Sequence, residues 1–383
     1  LNVDLVAVYI AELRAASCTG EIIVVGPHGT ISPEWTLTKT KADWVFRGEF
    51  DEALANYLPY DLERCPWVYS SKMGMSGRIA PEAQFSEEQY VNYNAIPRID
   101  EYLPHGWGDE VRADIQTIAG GFSTVVEASR GCSYDCEYCC RSGFRKRLRF
   151  KSAKNFYKEL QILAHRGVRY VFFIDENFGI PWKKYNEIIC ELSNQGIRFG
   201  FQARPDNFDD QKIDLLGKAG CIYIEYGLEA NEKSLLVGMG KYRDIDYIEK
   251  VIQRSRDRVP YVFCNIFDVG PIVQARRAGF GGVQTDNEGN VPGPLIPYPG
   301  TRLGDRLIAA NRDRFQTEAA WEICEALFEE ESIKRGRVPS GSSDAPADER
   351  DRTSQERADV GVSAPTRFEA LVAPHRRRRP KHF

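Results

Sequence analysis

Between residues 122 and 310 the chain alternates short apolar, β-branched segments with longer segments of helical period, and nothing else in it constrains the fold so strongly. Strands are predicted at 124–128, 169–174, 199–203, 221–226 and 261–266. Helices are predicted between them at 153–165, 183–193, 210–219 and 244–256. A strand that returns parallel to its predecessor needs a crossover of a dozen or so residues, usually a helix. Repeated βα units therefore form a parallel barrel or an open parallel sheet. Five clear strands, with a sixth expected at 294–296, fall short of the eight that close a barrel. The fold class is α/β, with a partial (β/α)6-type parallel barrel over 121–310.

The flanks differ. Residues 1–60 show strand signals at 5–10, 21–25 and 43–46 and helix signals at 11–16 and 52–57, with glycine at the strand exits. The expectation is an incomplete flavodoxin-like (Rossmann-like) α/β arrangement, entered in mid-domain. Residues 61–120 mix Pro, Gly, Tyr and Trp with charges and keep no period, so an irregular connector is expected across the domain junction. A C-terminal helix is expected at 311–334. Residues 335–383 are rich in Ser, Asp, Arg, Glu, Pro and Gly, as a disordered tail is. The run Arg376–Arg379 reads as its exposed basic end.

A net charge of −4 and a pI near 5.9 argue against a nucleic-acid partner or an anionic membrane surface. No run approaches the ~18 apolar residues of a membrane span, and no secretory signal stands at the front. The expectation is a soluble, cytoplasmic protein.

In that setting ten cysteines are thiols or metal ligands rather than a disulfide framework. Cys18, Cys65, Cys190, Cys221, Cys264 and Cys324 are isolated, and four of them sit in apolar patterns as small core residues. The rest fall together in Cys132-Ser-Tyr-Asp-Cys136-Glu-Tyr138-Cys139-Cys140, just after the first barrel strand, where barrel active sites form. Chance would give such a triple about 0.007 times in a chain of this composition. Cys132, Cys136 and Cys139 can converge on one 4Fe–4S cube and leave its fourth iron open to a chelating ligand. A four-thiolate zinc site that also uses Cys140 is the alternative. Adjacent cysteines, however, point in different directions and rarely share an ion.

Cys-x-x-x-Cys-x-aromatic-Cys after Ser129-Arg130-Gly131 resembles the signature of the radical S-adenosylmethionine superfamily. The resemblance implies a 4Fe–4S cluster on Cys132, Cys136 and Cys139 with S-adenosylmethionine on the open iron. Reductive cleavage of that co-substrate would give a 5′-deoxyadenosyl radical that abstracts hydrogen from a substrate C–H bond. It places Tyr138 against the adenine. It assigns Asp175 or Glu176, at the second strand's end, to the methionine amino group. Arg204, ending the third strand, would meet a carboxylate or pair with Asp206. Glu225 and Glu229 fall where a ribose-contacting group is expected. Residues Pro297–Thr301 resemble a segment of cobalamin-linked members. A small-molecule or biosynthetic-intermediate substrate, and an electron donor such as flavodoxin or ferredoxin, are implied as partners.

The segments Val24-Val-Gly26-Pro-His28, Ala42-Asp43 and Arg47-Gly48-Glu49 resemble the second half of the cobalamin-binding domain that precedes the barrel in one subgroup. Cobalamin, with methyl transfer to the substrate, is thereby added to the expected cofactors. The cobalt-ligating pattern Asp-x-His-x-x-Gly is absent from these 383 residues. His28 falls too late in the domain to replace it and reads as a hydrogen-bonding loop histidine. Two other readings remain beside the enzyme: a non-catalytic metal-binding remnant of such a protein, and a truncated product.

Overall fold

The computed structural model describes residues 3–51, 57, 61–75, 78–83, 91–96, 109–229, 236–237, 239–241, 244–266, 283–284, 298–313, 320, 322–324 and 326–327. The remainder, including residues 52–56 of the helix expected at 52–57, the strand expected at 294–296 and the tail at 335–383, lies outside the described residues.

The chain opens with α1 (Val3–Ala15), where the sequence suggests a strand at 5–10. Val3 and Ile10 are buried and Val6 packs beside Ile10, whereas Leu5, Val8, Tyr9 and Leu13 are exposed. That spacing of three and four is helical. It wins over the β-branched propensity because the inward stripe can lie on α3 (Pro33–Thr40) through Leu37. After β1 (Ile23–Val24) and α2 (Pro27–Ile31), β2 (Trp44–Phe46) pairs parallel to β1. β3 (Val68–Ser70) and β4 (Gly74–Met75) then extend the sheet antiparallel, in the order β1-β2-β3-β4. The region expected to be irregular thus holds a hairpin and also a helix, α4 (Asp109–Ala119). Ile115 of α4 is fully buried against Tyr170, Phe172, Ile222 and Tyr223.

The central sheet contains β5 (Phe122–Val126), β8 (Val168–Phe173), β9 (Arg198–Ala203), β10 (Cys221–Glu229) and β11 (Tyr261–Ile266), all parallel. The short β12 (Val283–Gln284) runs antiparallel at the β11 edge. Five parallel strands in the order β11-β10-β9-β8-β5 make the expected partial barrel. The ladder β6 (Ser129–Arg130) with β7 (Arg149–Phe150) brackets the cysteine segment.

Side chains alternate across these strands, so Tyr170 and Phe172 face α4 while Val171 and Phe173 face the connecting helices. Those helices are α6 (Ala153–His165), α7 (Trp182–Asn194), α8 (Asp210–Ala219) and α9 (Ile245–Arg258), following the short α5 (Arg141–Phe144). Ser152, Asp209 and Asp244 cap α6, α8 and α9 with side-chain oxygens, satisfying N–H groups the first turn leaves open. Phe173, Phe178, Phe199 and Phe201 are fully buried together, with Phe178 stacked on Phe201 at 4.1 Å. Each such ring contributes on the order of 1.5–3 kcal/mol by leaving water. Cys65, Cys221, Cys264 and Cys324 are buried, Cys190 is exposed, and no described cysteine is in a disulfide. Beyond α10 (Arg302–Asn311), residues 320, 322–324 and 326–327 are helical. No helix among the described residues is long and apolar enough to cross a membrane.

Candidate functional site

The strand ends bring the chemistry together. Parallel strands all present their C-terminal ends on one rim, and loops there carry the polar residues. A cavity of about 180 Å³ on this rim is lined by Cys132, Cys136 and Cys139, by Tyr138, and by groups from the ends of β8, β9, β10 and β11. The three sulfurs predicted to act together therefore share one compartment.

The cysteine loop is held from four sides. At its start Gly131 has φ +83°, and a Cβ there would lie 2.1 Å from the Arg147 carbonyl oxygen. Only glycine lets the two arms of the loop come this close. Glu176 Oε2 accepts from Gly131 N at 2.9 Å. At mid-loop, Glu137 N donates to Met239 O at 3.3 Å, and Gly240 lies against the Asp135–Cys136 backbone. At the far side Leu303 N, in the first turn of α10, donates to Glu137 O at 3.0 Å, and Arg306 pairs with the Glu137 carboxylate at 2.9 Å. Thr301 caps α10 and so helps aim that helix at the loop; Pro297 lies outside the described residues.

Burial pushes the Cys139 thiol up to about 12 and also raises Cys132. Without a cation these sulfurs are thiols; a bound metal group would draw off their protons. A single-ion site needs every donor within about 2.0–2.3 Å of one centre. Among the described residues, no group of three or more His, Cys, Asp or Glu forms one. A cube of four irons seats its cysteines on separate corners, and three soft sulfur donors in one cavity fit that group.

Tyr138 lines the cavity, and its hydroxyl donates to Glu229 Oε1 at 2.9 Å. Glu229 also pairs with Lys241 at 3.0 Å, and its φ of +73° is rare for a residue with a side chain. This left-handed residue ends β10 at the register shift between Gly227 and Glu229. Such strain persists where surrounding contacts hold it, commonly at functional sites. Glu225, also in the cavity wall, accepts from Asn265 Nδ2 at 2.8 Å.

Arg204 takes the ion-pair alternative. Its Nε and Nη2 donate to Asp206 at 2.9 and 2.7 Å, its plane lies 3.8 Å from the Tyr134 ring, and its Nη1 is 3.7 Å from Cys136 Sγ.

Asp175 does not line the cavity, which corrects the expectation that it receives an amino group. It is fully buried, and its carboxylate accepts from Ala128 N at 2.9 Å, Ser129 Oγ at 2.6 Å and Tyr185 OH at 2.7 Å. Its role is to pin the strand exit that launches the cysteine loop. Burial raises its pKa to about 6, against those three donors. Glu176 does reach the cavity, with one oxygen on Gly131 N and the other 3.1 Å from Arg145.

Lys241, Tyr134, Asn177, Gln202 and Asn265 also line the site and were not singled out from the sequence. Tyr134 lies inside the cysteine motif and could have been found there. Lys241 follows Gly-Met-Gly in a segment with no strand or helix period, so no signal marked it.

Arg145 and Arg149 tie the loop's return arm to the front sheet. Both contact the buried Glu49, Arg149 through two 2.6 Å bonds and Arg145 at 3.2 Å. Arg130 adds a 2.6 Å pair with Asp51. His28, the histidine of the front region, is buried with Nδ1 2.6 Å from Thr36 Oγ1, and burial lowers its pKa to about 4. The other described histidine, His165, is exposed at the far end of α6. The described residues thus supply no cobalt-ligating histidine.

Residues 126–273 match the model of the radical SAM superfamily. An uncharacterized methyltransferase of Pyrococcus horikoshii is 28% identical over 306 residues, covering 76% of this chain and 63% of that protein. The anaerobic magnesium-protoporphyrin IX monomethyl ester cyclase of Rubrivivax gelatinosus is 28% identical over 138 residues, covering 35% of this chain and 25% of that enzyme. The chain spans less than two thirds of either relative's length. Among solved structures, the radical S-adenosylmethionine methyltransferase TsrM of Kitasatospora setae, with cobalamin and a [4Fe-4S] cluster bound, superposes with a TM-score of 0.50. That match is at 18% identity and covers 69% of this chain and 54% of TsrM; it shows a shared fold.

Proposed function

We propose that this chain, which carries a radical S-adenosylmethionine domain over residues 126–273, is an enzyme whose Cys132, Cys136 and Cys139 hold a 4Fe–4S cluster for radical modification of a substrate C–H bond. The observation that carries this reading is the convergence of the three thiols on one cavity with Tyr138, Glu229 and Lys241. When bound, the cluster and S-adenosylmethionine supply one-electron cleavage of a C–S bond and hence a carbon radical able to take hydrogen.

The residues of the chain orient and shield. Cys132, Cys136 and Cys139 bind, and Gly131 and Glu176 set the loop's path. Tyr138 is proposed as the adenine-side wall, its hydroxyl tethered by Glu229. Glu225 and Glu229 are carboxylate acceptors suited to ribose hydroxyls, and Glu176 to an ammonium group. The strand ends close one side of the site, and α10 braces the outside of the loop. Such enclosure holds reactants in one geometry and keeps water from a reactive species.

Methyl transfer is the proposed outcome, supported by the methyltransferase relative. Cobalamin is the cofactor that the TsrM likeness suggests for it. The donor set described does not offer that cofactor a histidine ligand. A flavodoxin or ferredoxin is the proposed electron donor.

Anaerobic reconstitution with iron and sulfide tests the reading. The expected result is about four irons per chain and formation of 5′-deoxyadenosine on reduction with S-adenosylmethionine. Both are expected to vanish in the Cys132/Cys136/Cys139→Ala triple variant. Zinc at one per chain, with no iron and no nucleoside product, would instead establish a non-catalytic metal-binding protein.

A further inference from the structure

We infer that Arg204 sets the reduction potential of the cluster by donating an N–H···S hydrogen bond to the Cys136 sulfur. This rests on the reading that Cys136 is a cluster ligand, and it assigns Arg204 a role other than meeting a substrate carboxylate.

The guanidinium is built into place. Arg204 is 6% exposed. Its backbone N donates to Asn177 Oδ1 at 3.0 Å, fixing the strand end from which the side chain starts. Asp206 takes Nε and Nη2 in a two-pronged pair at 2.9 and 2.7 Å. Tyr134, from the cysteine loop itself, covers the face of the group at 3.8 Å, and its hydroxyl is tied to Asn207 at 3.2 Å. These contacts fix the guanidinium plane with Nη1 3.7 Å from Cys136 Sγ, where the sulfur can act as a weak acceptor.

Two of the side chain's three nitrogens are thus committed to Asp206, and the third is presented to the sulfur. A planar fork can do both at once, whereas the compact ammonium of lysine cannot. The carboxylate offsets the arginine charge at long range, so what reaches the cluster is a short-range, directed N–H dipole.

Hydrogen bonds to the sulfurs and local charge set cluster potentials. On reduction a bound cluster would take up one electron, from the flavodoxin or ferredoxin donor or from dithionite in the titration, with no bond made or broken and no proton moved. The added negative charge spreads over the sulfurs. A donor already aimed at Cys136 stabilises the reduced form more than the oxidised form, and therefore raises the potential. Removing that donor makes the cluster harder to reduce.

The experiment is an anaerobic potentiometric titration of the reconstituted full chain, followed by the visible and electron paramagnetic resonance signals, without S-adenosylmethionine. Wild type, Arg204→Lys and Arg204→Gln are compared, with iron and sulfide measured per chain and folding checked by circular dichroism. The expected result is a more negative midpoint in Arg204→Lys and a larger shift the same way in Arg204→Gln, at unchanged iron content. If Arg204→Gln fails to hold the cluster, the Lys variant alone decides. A midpoint in Arg204→Lys equal to wild type, with the cluster intact, overturns the inference. A wild-type chain that takes up no iron and sulfide overturns the cluster assignment and this inference with it.

Discussion

Replacing Gly131 with alanine isolates what the cysteine loop demands of its backbone. Gly131 and Gly120 both have left-handed φ, +83° and +70°. A Cβ at Gly120 meets nothing within 4 Å. Gly120→Ala should therefore cost only the conformational term, about 1–2 kcal/mol. At Gly131 the same Cβ lies 2.1 Å from Arg147 O and 2.7 Å from Arg147 C. Arg147 cannot simply retreat: its N is bound by Glu82 at 3.1 Å, and the adjoining β6–β7 ladder pairs Arg130 with Arg149. Overpacking of this kind adds about 1–3 kcal/mol, for a total of roughly 2–5 kcal/mol. The strain falls one residue before Cys132, so the loop should yield before the sheet does. Gly131→Ala is expected to bind less than half the wild-type iron after reconstitution and to melt several degrees lower, while Gly120→Ala keeps full iron. Iron content and melting temperature are read on all three proteins. A Gly131→Ala protein indistinguishable from Gly120→Ala would refute the argument from close approach.

Asp175 should give the protein a pH signature. Its folded pKa of about 6 lies above the unfolded value near 3.9. The folded state therefore holds more protons between those values, and stability falls as pH rises from about 4 to about 6, by on the order of 3 kcal/mol. Denaturant melts of Asp175→Asn are expected to lack that slope; an unchanged slope would place the proton elsewhere. Lys241→Met leaves the Glu229 carboxylate without its 3.0 Å cation, a loss of about 3–5 kcal/mol for a buried pair. Calorimetric titration should show weakened S-adenosylmethionine binding in this variant, and wild-type affinity would remove the pair from the site. Glu49→Gln is expected to lower the melting temperature and to increase proteolysis within 141–149, since Arg149 makes both of its 2.6 Å bonds to that carboxylate and Arg145 lies 3.2 Å from it. Equal proteolysis rates would show that the loop's return arm does not depend on the front sheet.

The barrel was legible because its strands are short, β-branched and followed by helices of clear period, and all five parallel strands fall within a few residues of expectation. The cysteine trio was legible because its spacing carries the chemistry. Asp175 and Glu176 were not separable by sequence, since adjacent strand-end carboxylates point to opposite sides. One serves the backbone at Ala128 while the other reaches the cavity. At residues 5–10 local propensity favours a strand, yet the buried residues follow a helical stripe set by α3. α4 was hidden because it is charged and short, and its buried anchor, Ile115, has meaning only against strands far along the chain. Lys241 depends on Glu229 across a loop with no period of its own.

The bond between Glu49 and Arg149 joins residues 100 positions apart. During synthesis at ~5–20 residues per second the acid would leave the ribosome some 5–20 s before its cation. Throughout that interval Glu49 must stay hydrated, although the finished protein shields it from solvent. The contact that joins the front region to the return arm of the cysteine loop can then form only after Arg149 has itself emerged, so the order of translation places this junction later than the strands on its N-terminal side.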